Sequence, residues 1–181
     1  MGDDAFGAVT MNYSMPQENL PFEITWRPVM HPDLEGLLAI YKETIDHTCV
    51  DDYDADQRNA WKQGTENRVR WTDAIDMQYF IVAEVDGNPA GFGSLKDGAY
   101  IDFLYTSKNY LRKGIAQTIY DQLENMARSC GSKHLTADVS KTARLFFEKQ
   151  GFVVVNENRN FIRGVWITNF RMQKELSMGS V

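Results

Sequence analysis

Between Tyr79 and Thr106 the chain reads YFIVAEV, an Asp-Gly pair, a stretch centred on PAGFGSLK, a second Asp-Gly pair, and AYIDFLYT. This run constrains the fold more than any other part of the sequence. Asp-Gly supplies residues that tolerate the left-handed backbone of a two-residue hairpin loop, whose twist matches that of the strands it joins. The flanking runs have strand length and strand composition. The segment therefore predicts three consecutive antiparallel strands.

The remaining elements are placed around this meander. FEITWRP alternates and stops at a proline, which suits a short first strand. Leu34, Leu37, Leu38, Tyr41 and Ile45 recur at helical spacing and predict a helix from Asp33 to about His47 and Thr48. DDYDADQRNAW offers capping acids before a short helix through Trp61, and a further helical piece is expected over Arg68 to Ala74. After the meander, Ile115, Ile119, Leu123, Met126 and Cys130 mark one face of a longer helix. HLTADV reads as a buried strand, and TARLFFEKQ as a short helix ended by Gly151. VVVNENRN and FIRGVWITNFRMQKEL read as two closing strands, with Arg163-Gly164 near the start of the last. No internal repeat or linker divides the chain. The reading is one mixed α/β domain over residues 22–176, an unpatterned polar arm or strap over 1–21 and a tail over 177–181.

Several partner classes are excluded by bulk properties. A net charge of −6 gives no global field for nucleic acid or an anionic membrane, so any anion site must be local. Cys49 and Cys130 match no metal-ligand spacing and no disulfide framework, and no metal site is expected. No apolar run approaches the roughly 18 residues a membrane span needs, and no secretory signal pattern opens the sequence. A cytoplasmic location is the expectation.

The local anion site is sought in YLRKGIAQTIYDQLENMA, residues 110–127, where basic residues and a glycine run into a helix. A helix N-terminus presents unpaired N–H groups and partial positive charge. Gly114 removes a side chain where a phosphate would approach closest, Ala116 keeps the second approach open, and Arg112 and Lys113 add charge. The same pattern is compatible with plain packing, so a second motif is needed to separate the two.

That motif is SKTARLFFEKQGF, residues 140–152, some thirty residues on and after a strand expected beside AYIDFLYT. The pair resembles the GNAT superfamily of acetyl-CoA-dependent N-acetyltransferases, from about Ile24 to Leu176. HTCVDDYDADQRNAW and RGVWITNFRM resemble its YafP-like branch. The resemblance implies a mixed, mostly antiparallel sheet of about seven strands, helices on both faces and a splayed cofactor cleft. It implies transfer of an acetyl group from acetyl-CoA to a primary amine of a small molecule, peptide or protein; a non-catalytic acyl-CoA-binding module and transfer from a longer acyl-CoA are the alternatives. It places Leu104, Tyr105 and Thr106 beside pantetheine, with a backbone N–H near Leu104 as oxyanion donor. Arg112, Lys113, Gly114, Ile115, Ala116 and Gln117 would cradle the pyrophosphate, and Ser140 stands at a conserved asparagine position. Phe147 stands where many relatives carry the tyrosine that protonates the leaving thiolate. Leu111 replaces a usual Gln or Arg, and Arg112 a common glycine, which a backbone cradle tolerates if the dihedrals there are ordinary. The last strands are common pairing surfaces in such proteins, which leaves a homodimer open.

Asp102 is the first candidate base. It lies two residues before Leu104, hence by strand periodicity on the same face, and an Asp inside a strand is unusual. Pairing with an Arg is the competing explanation. Asp138 on the neighbouring strand is the second candidate. His47, Tyr53, Gln57 and Trp61 would line the acceptor side, unless the aromatics are core residues and His47 a helix-end charge. Tyr100 and Tyr105 are expected on opposite faces of their strand, so that at most one points at the thioester.

Overall fold

The computed structural model describes residues 22–176; the expected arm and tail lie outside the described residues. The meander forms as read: β2 Tyr79–Val85, β3 Asn88–Lys96 and β4 Tyr100–Thr106. Both Asp-Gly turns are left-handed at both residues, with φ of 50° and 77° at Asp86 and Gly87 and 51° and 68° at Asp97 and Gly98. β1 (Ile24–Pro28) adds to β2, β5 (His134–Ser140) adds to β4, and β7 (Val165–Glu175) and β6 (Val153–Ile162) complete the sheet. The strand order is β1-β2-β3-β4-β5-β7-β6, and only the β4–β5 contact is parallel. Arg163 and Gly164 (φ 48° and 87°) form the β6–β7 hairpin turn itself, so Phe161 and Ile162 belong to β6 rather than to the last strand.

Helices cover both faces and bury two separate cores. On one side α4 (Ile115–Ser129) and α5 (Arg144–Lys149) pack on Ile81, Leu95, Ile101, Leu135, Ala137 and Met172. On the other, α1 (Leu34–Thr48) and α3 (Arg68–Met77) pack on Phe80, Val82, Phe92 and Phe103. α2 (Ala55–Lys62) begins at a capping box in which Asp54 and Gln57 satisfy each other's backbone N–H. Two glycines set how closely α4 lies on β3. A Cβ at Gly93 would stand 2.5 Å from Ile119 Cγ2, and one at Gly91 2.9 Å from Ile115 Cγ2. β5 alternates rather than being buried throughout: Leu135, Ala137 and Val139 face the α4 core, while His134 and Asp138 are exposed. Of the expected α4 face, Met126 is only partly buried and Cys130, beyond the last turn, is exposed.

Two irregularities in β4 shape the site. The β3–β4 ladder pairs Ser94 with Phe103 and then Leu95 with Ile101, so Asp102 is an extra residue in a β-bulge. In addition β4 and β5 pair only at Tyr100–Thr136 and Ile101–Ala137. Beyond these, β4 stays with β3 and β5 stays with β7, and the two strands splay apart.

Candidate active site

The splay leaves one strand edge without a partner strand. The Ser107 N–H donates to Ala90 O on β3 at 2.9 Å. Backbone groups alternate direction along a strand, so those of Phe103 and Tyr105 also face β3, and those of Leu104 and Thr106 face the gap. Thr44 Oγ1 on α1 donates to the Thr106 carbonyl at 2.9 Å. The Leu104 edge faces the gap where β5 has turned away, and backbone groups in such a place call for a partner. An extended amide chain entering the gap would supply one.

At the end of the gap α4 begins. Its first intrahelical bond here is Thr118 N–H to Gly114 O, and no side chain caps the helix, so the N–H groups of Ile115, Ala116 and Gln117 are available. Gly114 has φ 82°, and a Cβ built on it meets no atom within 4 Å. Arg112 has φ 60°, which corrects the expectation of ordinary dihedrals: the turn keeps a glycine-like geometry with an arginine in it. The basic side chains lie at the surface, with the Lys113 ammonium 5.3 Å from the Tyr110 ring and 5.7 Å from that of Phe22. Gln117 spends its side chain on Gln150 and Asp121, at 2.7 to 3.1 Å, so it offers an anion its backbone alone. Ile115 likewise buries its side chain against the sheet. The uncapped amides, the empty space at Gly114 and the open Leu104 edge fit the diphosphate and pantetheine parts of acetyl-CoA.

Ser140 closes β5 and accepts from the Ala143 N–H at 3.1 Å, which ties its hydroxyl to the turn before α5. Phe147 is 4% exposed and lies edge-on to Phe152 and Phe146, at 5.0 and 5.8 Å. It is a core residue, and its position carries no proton donor.

The bulge changes the reading of the two acids. Ile101 and Leu104 both pack on the α4 side, whereas Phe103 and Tyr105 pack on the α1 and α3 side. Asp102 points with the latter: its carboxylate accepts from Arg70 Nη2 at 2.6 Å and Gln78 Nε2 at 2.9 Å. It therefore does not share the face of Leu104, and the arginine pair foreseen as the competing explanation exists. Two of the carboxylate's roughly four acceptor positions remain unused. Asp138 is more fully engaged, by Arg171 through two bonds of 2.7 and 2.8 Å, Tyr100 at 3.1 Å and Asn158 at 3.2 Å. Burial, with Asp138 adding to it, pushes the Tyr100 phenol up to about 12. Tyr105 is driven well above its ordinary value by burial. With one residue inserted between them, Tyr100 and Tyr105 lie on the same face of β4, not on opposite ones.

The expected acceptor wall divides. The Tyr53 hydroxyl donates to Thr168 O at 2.8 Å and accepts from Lys141 N–H at 2.9 Å, in a residue only 3% exposed. Trp61 is edge-on to it at 5.4 Å. Tyr53 is thus a strut between the α1–α2 turn, β5 and β7, with both hydroxyl functions used. Gln57 donates to Trp166 O at 2.8 Å, tying α2 to β7. His47 is exposed at the end of α1. Arg70, Gln78, Arg171 and Asn158, which surround the two acids, were not visible in the sequence, because each reaches its acid across at least 20 residues.

The comparisons agree with this geometry. The family described as acetyltransferase (GNAT) domain matches residues 49–176. The uncharacterized N-acetyltransferase YafP of Escherichia coli (strain K12) is 35% identical over 78% of this chain and 89% of its own. The crystal structure of a GCN5-related N-acetyltransferase from Rhodopseudomonas palustris superposes with a TM-score of 0.82 at 31% identity, covering 88% of this chain and all of that one. PaiA N-acetyltransferase from Thermoplasma acidophilum, solved in complex with coenzyme A, has the same fold (TM-score 0.70, 22% identity, 85% of this chain and 99% of that one). The chain belongs to the GNAT family of N-acetyltransferases, enzymes whose acetyl donor is acetyl-CoA.

Proposed function

We propose that this protein acetylates a primary amine on a small molecule or peptide, and that it does so in the cytoplasm. The observation that carries the proposal is the gap between β4 and β5, with the open Leu104 edge along it and the uncapped α4 N-terminus at its end. No helix among the described residues is long and apolar enough to cross a membrane.

Acetyl-CoA, when bound, supplies an activated acyl carbon to an attacking amine. The chain's part is to hold and polarise. The α4 amides of Ile115 to Gln117 bind the diphosphate and the Leu104 backbone orients pantetheine. A rigid backbone donor aimed into the gap stabilises developing negative charge without reorganising. On the α1 and α3 face, Asp102, fixed by Arg70 and Gln78, uses its free acceptor positions to take an N–H of the incoming amine. Asp138, with its acceptor positions filled, holds Tyr100 and Arg171 in place. Tyr100, Trp61 and His47 border the acceptor's approach.

The test pairs binding with turnover. Acetyl-CoA at a hundredfold excess over Kd should stabilise the fold by about 2.7 kcal/mol. Free thiol should then appear only when an amine from a panel of polyamines, aminoglycosides and peptides is added. A protein unshifted by acetyl-CoA and CoA alike would remove the basis of the reading.

A further inference from the structure

The sheet face opposite α4 carries two Arg–Asp pairs, and they differ in how fully their hydrogen-bonding positions are used. The Arg171–Asp138 pair is closed. Arg171 gives Nε to one carboxylate oxygen and Nη2 to the other, and Tyr100 and Asn158 take the acceptor positions that remain. The Arg70–Asp102 pair is open. One bond of 2.6 Å from Arg70 Nη2 joins it, and Gln78 adds one more to the acid. Of the five N–H groups of its guanidinium, Arg70 uses only that one in hydrogen bonds among the described residues.

Both members of the open pair are nevertheless held in place. The Arg70 guanidinium lies 4.4 Å over the Phe103 ring, and its backbone N–H donates to the Asn67 side chain at 3.2 Å in the first turn of α3. The Ser94 hydroxyl, fully buried, donates to Gln78 Oε1 at 2.7 Å, which leaves Gln78 Nε2 facing the acid. The Asp102 side chain is 11% exposed and that of Arg70 44%. The acid is therefore recessed, and the guanidinium stands at the rim above it.

This arrangement selects against a bare cation. An ammonium that reaches Asp102 comes close to Arg70, and the repulsion offsets much of the attraction of the acid. A second cation on the same acceptor finds Asp138 already filled. An acceptor with a carboxylate beside its amine reverses the balance, because the carboxylate meets the free N–H groups of Arg70 in the planar geometry that a guanidinium recognises best. The two charges of the protein's pair are in direct contact at 2.6 Å, so a ligand that opposes both must hold its own charges equally close. An α-amino acid, with amine and carboxylate on one carbon, does so.

We propose that the acetyl acceptor is a free α-amino acid, its amine on Asp102 and its carboxylate on Arg70. The assignment rests on the reading of Asp102 as the group that receives the acceptor's amine. Transfer forms the bond from nitrogen to the acetyl carbon and breaks the bond from that carbon to sulfur. Of the two protons the ammonium sheds, one ends on the CoA thiolate and one in solution. A peptide N-terminus presents an amide where Arg70 calls for a carboxylate, and a polyamine presents further cations.

The experiment measures CoA thiol release for matched sets of acceptors: α-amino acids, their amides, and the amines lacking the carboxyl group, with polyamines alongside. Rates are corrected for the fraction of neutral amine. For the preferred side chain, kcat/KM of the amino acid should exceed that of its amide and its amine by about tenfold or more. Arg70→Gln should bring this ratio close to one. Arg70→Lys, which keeps the charge and loses the fork, should fall between. Arg171→Gln should keep the wild-type ratio whatever it does to the rate. The ratio is the decisive quantity, since a loss of fold or a displaced Asp102 lowers all acceptors together; if Arg70→Gln does not fold, the wild-type series and Arg70→Lys decide. Amines or polyamines acetylated as well as amino acids would overturn the inference and leave the proposed acetylation standing. A preference for amino acids that survives the Arg70 substitutions would overturn it too. Thiol release with no acceptor of any kind would remove both.

Discussion

Gly114→Ala separates the turn's conformation in the free protein from the role proposed for it in binding CoA. In the free protein the added methyl touches nothing within 4 Å, so it creates no clash. It does impose a left-handed backbone (φ 82°) on a residue with a Cβ, at a cost of roughly 1–2 kcal/mol. For a domain of this size that lowers Tm by about 2–4 °C per kcal/mol. The strain is the same with or without ligand, since the turn keeps its conformation, and so it cancels from the binding equilibrium. What remains for binding is the loss of the empty space above the α4 amides. Crowding of this kind costs about 1–3 kcal/mol, or roughly 5- to 150-fold in Kd. Differential scanning fluorimetry without ligand reads the first quantity and calorimetric titration with CoA the second. A lower Tm with unchanged CoA affinity would refute the cradle, because the space at Gly114 would then belong to no ligand. Arg112→Gly is the counterpart: it relieves the strain at φ 60°, so stability should hold or rise by up to about 1 kcal/mol while CoA binding weakens only modestly.

Asp102→Asn should keep CoA affinity and lower turnover, most steeply at low pH where the amine is largely protonated; a wild-type rate would leave Asp102 as only the partner of Arg70. Phe147→Tyr should destabilise by about 1–3 kcal/mol without raising turnover, because the new hydroxyl enters an apolar cluster. Faster thiol release at unchanged stability would show that the ring edge faces the cleft. Burial raises the Glu124 carboxyl, but hydrogen bonds from Lys174, Tyr120 and Arg128 outweigh it and hold the group below its ordinary value of 4.5. Its contribution to stability is thus complete above 4.5 and is lost as the pH falls through the lowered value. Glu124→Gln should flatten the acid limb of a Tm-against-pH profile; an unchanged limb would disprove the assignment.

Local patterns in the sequence determined most of the fold. Alternation and the two Asp-Gly pairs gave the meander, helical spacing gave α1 and α4, and the basic-glycine turn with its later ARLFFEKQGF partner marked the family and the turn proposed as the cradle. These are short-range properties of the chain, and they hold wherever an element is finally packed. The tertiary structure decided which side chains meet. Strand periodicity puts Asp102 with Leu104, but the ladder with β3 inserts a residue there and sends the acid to Arg70 and Gln78. The sequence pointed to Tyr53 as an acceptor contact, but the backbone carbonyl of Thr168, 115 residues away, accepts its hydroxyl hydrogen bond. Phe147 occupies a motif position, yet the packing of Phe146 and Phe152 turns it into the core. The reason is common to all three. A residue's face along a strand or helix follows from local geometry only while the register is unbroken, and the register is set by the partner strand. What a buried polar group bonds to is likewise set by whichever distant segment the fold brings within about 3 Å of it.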